Sequence, residues 1–322
     1  MIKILLIFLL FNTIIFSQKK VLIVGNSLMF YNNMPFTLNN LFNVNSDSIQ
    51  VEQLTHPGYT LRDHLDNFHY GNKSINFIQQ HRYKNMGLNM EEMKHIYKYD
   101  CDIDTILKSS LEILIENTHY DYIIIQEHGQ NIMHNQLLKY NASKSLERLI
   151  NILKKNNSSD SKILYFTEYP SKHLYKTEPK KYKETIVSHY DTITCRKVER
   201  DDTIYLIKNK NFLTDTLSII KTPKEFIEIY HNNLSKLLMV HDFEICPTSD
   251  IFDKVLISNS RWKMYRLGDH PSKKASFLFA CVFYEMITGQ KPKKTKYKIG
   301  LSKKSSTKIV KEVDEYLQLI KL

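Results

Sequence analysis

Short uninterrupted apolar runs alternate along this chain with longer stretches in which apolar positions recur every three or four residues. Val21-Leu22-Ile23-Val24, closed by Gly25, reads as a strand buried on both faces, because a half-exposed strand would alternate polar and apolar side chains. Residues 49–54 predict a second strand, ended by Pro57-Gly58, and Tyr122-Ile123-Ile124-Ile125 a third. Ile163-Leu164-Tyr165-Phe166 predicts a fourth and residues 243–247 a fifth. Helical spacing marks residues 36–42, 105–117, 136–155 and 223–240. A last helix starts after Ser272, a good N-cap, and stops at Gly289, a residue suited to the left-handed position past a helix end. This alternation predicts an α/β fold with a doubly wound parallel sheet. Residues 66–104 and 171–221 break it; long, polar and aromatic, they read as insertions over one end of the sheet. No repeat and no Gly/Ser linker divides the chain, so one domain is expected over residues 18–322.

The first 17 residues have another logic. Lys3 supplies a positive start, an apolar stretch follows, and Ile15-Phe16-Ser17 offers a cleavage site, the pattern of a signal peptide. The apolar run is too short to span a bilayer comfortably, and no Cys follows it for a lipid anchor. A secreted or periplasmic protein without a stable membrane anchor is therefore expected. Cys101, Cys195, Cys246 and Cys281 would then meet an oxidising compartment. Their spacing forms no metal pair, and Cys281 falls in an apolar helical pattern as a buried thiol.

Composition narrows the function classes. Of 322 residues 42% are hydrophobic, enough for a sizeable core and against wholesale disorder. Lys and Arg number 45 against 34 Asp and Glu, a formal charge of +11, much of it in patches such as Lys291, Lys293, Lys294, Lys296 and Lys298. A basic balance can favour nucleic acid or acidic polymers. No compact basic-plus-aromatic motif accompanies it, so a solvated surface and no nucleic-acid partner are expected. Gly-rich phosphate loops and HExxH are missing, and His64, His69, His81 and His95 form no ligand pair at helical spacing; neither an organic cofactor nor a metal is expected.

In an open parallel sheet, ligands sit beyond the carboxyl ends of the strands. The residues there are Gly25-Asn26-Ser27-Leu28, then Gly58, then Gln126-Glu127-His128-Gly129-Gln130-Asn131. Gly268-Asp269-His270-Pro271-Ser272 opens the final helix. A hydroxyl, an imidazole, carboxamides and flexible backbone N–H groups are the inventory of nucleophilic acyl transfer. Singly each has a plainer reading: Ser27 as a helix N-cap, Gly58 as a turn glycine, Glu127 and His128 as loop polars.

Together these segments resemble, in order and over nearly the whole chain after the leader, the blocks of the SGNH/GDSL hydrolase family. Residues 21–27 resemble the first block, whose Ser is the nucleophile, with Asn26 where Asp is commonest. Gly58 resembles the glycine that donates a backbone N–H, and residues 121–130 the third block, with Gln130 where Asn is usual and Gln126 as its rival. His270-Pro271-Ser272 resembles the block that carries the base. The resemblance implies a three-layer α/β/α fold around a five-stranded parallel sheet of flavodoxin-like order 2-1-3-4-5. It implies an exported esterase acting on a small-molecule or carbohydrate ester, O-acetyl groups among them. Ser27 and His270 would be catalytic, and Ser27, Gly58 and Gln130 or Gln126 would hold the oxyanion. One position departs: the orienting Asp, usually three residues before the His, is Leu267, and Asp269 adjoins His270 instead. Either Asp269 completes a triad, or another carboxylate or a backbone carbonyl orients the imidazole. The same departure suits a catalytically silent glycan-binding protein on this scaffold.

Overall fold

The computed structural model describes residues 18–66, 109–133, 142–156, 158, 160–175, 185–200, 203–217, 222–239, 241–294 and 299–320; for Asp66, Gln130, His173 and residues 185–217 the backbone alone is described. The expected signal peptide and most of the first expected insertion lie outside these residues.

Five parallel strands form the central sheet. They are β1 (Lys19–Gly25), β2 (Ile49–Thr55), β3 (Tyr122–Ile125), β4 (Lys162–Phe166) and β7 (Glu244–Cys246). Their order, β2-β1-β3-β4-β7, is the one the resemblance implied, with the first strand inside the sheet. Because successive side chains point to opposite faces, each apolar run divides between two cores. Val21, Ile23, Ile124, Leu164 and Phe166 join one; Leu22, Val24, Ile123, Ile125, Ile163 and Tyr165 join the other. That is why these strands are continuously apolar.

Helices cover both faces. On the first lie α2 (Met34–Asn45), α8 (Thr248–Ser258), α9 (Lys273–Thr288) and α10 (Lys303–Ile320). On the second lie α3 (Leu61–Asp66), α4 (Ser110–Asn117), α6 (Ala142–Lys155) and α7 (Pro223–Leu238). Two short helices, α1 (Ser27–Phe30) and α5 (Gly129–Met133), sit just past β1 and β3. No described helix is long and apolar enough to cross a membrane. The second expected insertion holds an antiparallel ribbon, β5 (Thr185–Arg200) with β6 (Thr203–Leu217), which is a sheet separate from the central one.

Helix α9 is enclosed over most of its length. Ser272 Oγ accepts from Lys274 N and Ala275 N, and Gly289 closes the helix at φ 71°, as the sequence predicts. Residues 275–285 of it are buried all round, Cys281 included as a free thiol that burial holds protonated. Phe279 packs against Phe166, Tyr169 and Phe252 at centroid separations of 5.1, 5.5 and 6.2 Å. This aromatic cluster joins the end of β4 to the helix that follows His270. Phe279→Ala is expected to cost about 3–5 kcal/mol. A urea titration should show the midpoint falling while the slope stays constant.

Candidate active site

The site begins where β1 ends. Gly25 lets the chain pass close to its neighbours: a Cβ there would stand 2.7 Å from Met29 Cγ and 3.0 Å from Gln126 Oε1. Asn26 is buried and fully used. Its N–H donates to Gln126 Oε1 (3.1 Å), its Oδ1 caps α1 by accepting from Leu28 N (3.1 Å), and its Nδ2 donates to Tyr59 O (3.2 Å). The last bond ties the turn at Asn26-Ser27 to the loop after β2, where Gly58 turns at φ 70°. An Asp here could make the cap but not donate to that carbonyl, which gives the Asn26 departure a physical reason.

Ser27 opens α1, and its Oγ lies 3.0 Å from His270 Nε2. His270 is delivered by a small hairpin, β8 (Tyr265–Arg266) against β9 (His270–Pro271), whose turn passes through Leu267 at φ 42° and Gly268 at φ 74°. That turn folds the Leu267 carbonyl back to within 3.0 Å of His270 Nδ1. A carbonyl can only accept, so Nδ1 carries the proton and Nε2 presents a bare lone pair to the Ser27 hydroxyl. The Leu267 side chain is 70% exposed and takes no part in this bond.

The Asp269 carboxylate is bonded away from the imidazole. Asp269 lies beside His270 in sequence, but its Oδ1 accepts from Lys172 N (2.7 Å) and its carbonyl from Tyr169 OH (2.7 Å). Adjacent side chains on a tight turn diverge, and this one turns to the loop after β4. It anchors the hairpin, and the acceptor at Nδ1 is the Leu267 carbonyl.

The resemblance gave the oxyanion carboxamide to Gln130, with Gln126 as its rival. The Gln130 side chain lies outside the described residues. Gln126 is wholly buried, its Oε1 committed to Asn26 N and its Nε2 enclosed without a hydrogen-bond partner. Glu127, given no role by the sequence, is a buried clamp. It accepts from Leu61 N (3.2 Å), His128 N (2.7 Å) and Asn131 Nδ2 (2.9 Å), tying the starts of α3 and α5 to the end of β3. Burial raises the Glu168 carboxyl above the ordinary range, opposed by the nearby His128 and by the Gly129 N–H that Oε2 accepts at 2.7 Å.

Two further residues hold the segment that carries the histidine. The Tyr31 ring stacks on the His270 imidazole, centroids 4.1 Å apart and planes at 19°. Asn32, at φ 54°, donates through Nδ2 to Pro271 O and Ser276 Oγ, both at 2.9 Å. Tyr31 stands four residues after Ser27, one helical turn on, a spacing that was readable in the sequence. Among the described residues no three His, Cys, Asp or Glu side chains are grouped to hold a metal.

No family model matches this chain, and no curated protein matches it. Solved structures do. A DUF4886 family protein from Bacteroides uniformis covers 93% of this chain and 95% of its own at a TM-score of 0.54 and 12% identity, which shows a shared fold. A protein proposed to be an SGNH hydrolase, from Slackia heliotrinireducens, covers 84% of this chain and 100% of its own at 0.45 and 13%. One proposed to be a GDSL-like lipase, from Parabacteroides merdae, covers 84% and 96% at 0.42 and 10%.

Beneath the site, His64 donates from Nε2 to Gly25 O (3.0 Å), and burial lowers its pKa from the ordinary 6.5 to about 4. The unfolded chain takes up this proton near pH 6.5 and the folded chain only near 4, so the resulting stability is fully present above 6.5 and is lost as pH falls toward 4. The difference is about 3 kcal/mol. Urea titrations at pH 7 and pH 4 should show His64→Gln losing less stability on acidification than the native chain by that amount.

Proposed function

We propose that this chain is a serine ester hydrolase of SGNH type working through a Ser27–His270 dyad. The observation that carries the reading is the 3.0 Å contact between Ser27 Oγ and His270 Nε2, made while Nδ1 is held by a carbonyl. Hydroxyl and imidazole come from opposite ends of the chain and meet in the tautomer that acyl transfer needs.

In this mechanism Ser27 Oγ attacks the acyl carbon as Nε2 takes its proton. The imidazolium returns the proton to the departing alkoxide, leaving an acyl group on Ser27. Water, deprotonated by Nε2, then attacks the acyl carbon, and the imidazolium gives that proton to Oγ as the acyl–oxygen bond breaks. Negative charge on the tetrahedral oxygen is met by backbone N–H donors at Ser27 and Gly58. Two features support them: Ser27 N is the first amide of α1, with no preceding turn to accept its proton, and Gly58 turns in an exposed loop at the same sheet edge. Burial of Gln126 under the turn suits it to brace Asn26, leaving a carboxamide role in the oxyanion hole to Gln130.

An O-acetyl group on a carbohydrate outside the cytoplasm is the substrate favoured by the resemblance, with residues 1–17 directing export. A silent glycan-binding protein is the competing reading, favoured by Leu267 standing where the acid usually does.

Hydrolysis of p-nitrophenyl esters of increasing acyl length separates the two. The native chain should turn over the acetate, Ser27→Ala should abolish turnover, and His270→Gln should lower kcat by at least on the order of 10³. Ser27→Ala as active as the native chain would reject Ser27 as the nucleophile, and no native turnover at all would leave the binding protein. Loss of a true triad acid costs on the order of 10⁴, whereas Asp269→Asn should lower kcat/KM by less than about threefold. A loss of several orders there would restore Asp269 as the acid.

A further inference from the structure

The proposed dyad leaves one charge unaccounted for. When Nε2 takes the Ser27 proton, His270 becomes a cation, and its Nδ1 partner is the neutral Leu267 carbonyl. The adjoining carboxylate is engaged with Lys172 N. Across the small hairpin the residue paired with His270 is Arg266, a like charge. What does face the imidazole is the Tyr31 ring, nearly parallel and 4.1 Å away.

We infer that the Tyr31 ring face is a positioning residue for the reaction, stabilising the His270 imidazolium in place of the absent carboxylate and holding its plane toward Ser27. The inference rests on the esterase reading and goes beyond it. An aromatic face carries negative quadrupole charge and attracts a cation within about 6 Å of its centroid. The attraction exists only once the imidazole is charged, so it favours the transition state over the resting dyad. The backbone enforces the arrangement: Tyr31 N donates to Ser27 O as α1 closes, so hydroxyl and ring stand one turn apart. Asn32, next in line, donates to the carbonyl of Pro271, the residue after the histidine. A single segment, residues 27–32, thus carries both the nucleophile and the grip on its base.

The test varies ring charge and keeps ring shape. Phenylalanine and its progressively fluorinated analogues are introduced at position 31, with thermal unfolding to verify the fold and p-nitrophenyl acetate as the substrate. Tyr31→Phe should keep kcat within about twofold, because it preserves the π face. Each added fluorine should lower kcat further, to roughly tenfold for the fully fluorinated ring, with KM within about twofold. Tyr31→Trp, with the strongest face, should match or exceed the native kcat. A flat kcat across the fluorinated series in an active enzyme, or a loss confined to KM, overturns this inference and leaves the esterase reading standing. Absence of any Ser27-dependent turnover in the native chain overturns both.

Discussion

The hydrogen bond from His270 Nδ1 to the Leu267 carbonyl decides which face of the imidazole meets Ser27, and the site depends on it. With Nδ1 protonated, Nε2 has a free lone pair at hydrogen-bond distance from a hydroxyl; with the proton on Nε2 the same contact could not draw a proton from Ser27. A carboxylate usually fixes this choice with a charge. Here a left-handed turn at Leu267 and Gly268 fixes it with backbone geometry, and the turn is in turn held by Tyr169, Lys172 and the bond from Ser272 N to Met264 O. Aromatic packing from β4 through Tyr169 to Phe279 therefore supports the orientation of one ring.

Carbonyl and carboxylate differ in what they do after proton transfer. Both fix the tautomer, and loss of the tautomer accounts for most of the damage when a triad acid is removed. The carbonyl does less for the imidazolium, because a hydrogen bond with one ionised partner is weaker than one between opposite charges. The proposed enzyme is thus expected to keep the architecture of acyl transfer with a smaller electrostatic contribution from the base's partner. The Tyr31 face then has a place in the same scheme.

Much of this was legible in the sequence, for a physical reason. Strands buried on both faces must be continuously apolar, so β1, β3 and β4 announced themselves, and Ser272 and Gly289 bounded α9 through capping chemistry. Helix α10 escaped because its core stripe, Ile309, Val310, Val313 and Leu317, is narrow and set among lysines that read as plain surface. Helix α8 escaped because it follows β7 after a single residue, with Ile251, Phe252 and Val255 as its only large buried side chains. Ser27 was visible from its strand-end position and His270 from its place at the opening of the final helix. The Nδ1 acceptor was not, since a backbone carbonyl has no residue identity and only the fold aims it. Glu127 and Asn26 became readable as braces once β1, β2 and β3 stood side by side.

The most direct test of the account is the protonation pattern of one ring. Long-range proton–nitrogen correlation spectra of the chain labelled with ¹⁵N-histidine, with His270→Gln identifying the resonance, report which nitrogen of the uncharged imidazole holds hydrogen. A protonated Nδ1 and a bare Nε2 at His270 are predicted from the Leu267 bond. Hydrogen on Nε2, with Nδ1 bare, would contradict the account, because the nitrogen facing Ser27 could then accept nothing from it.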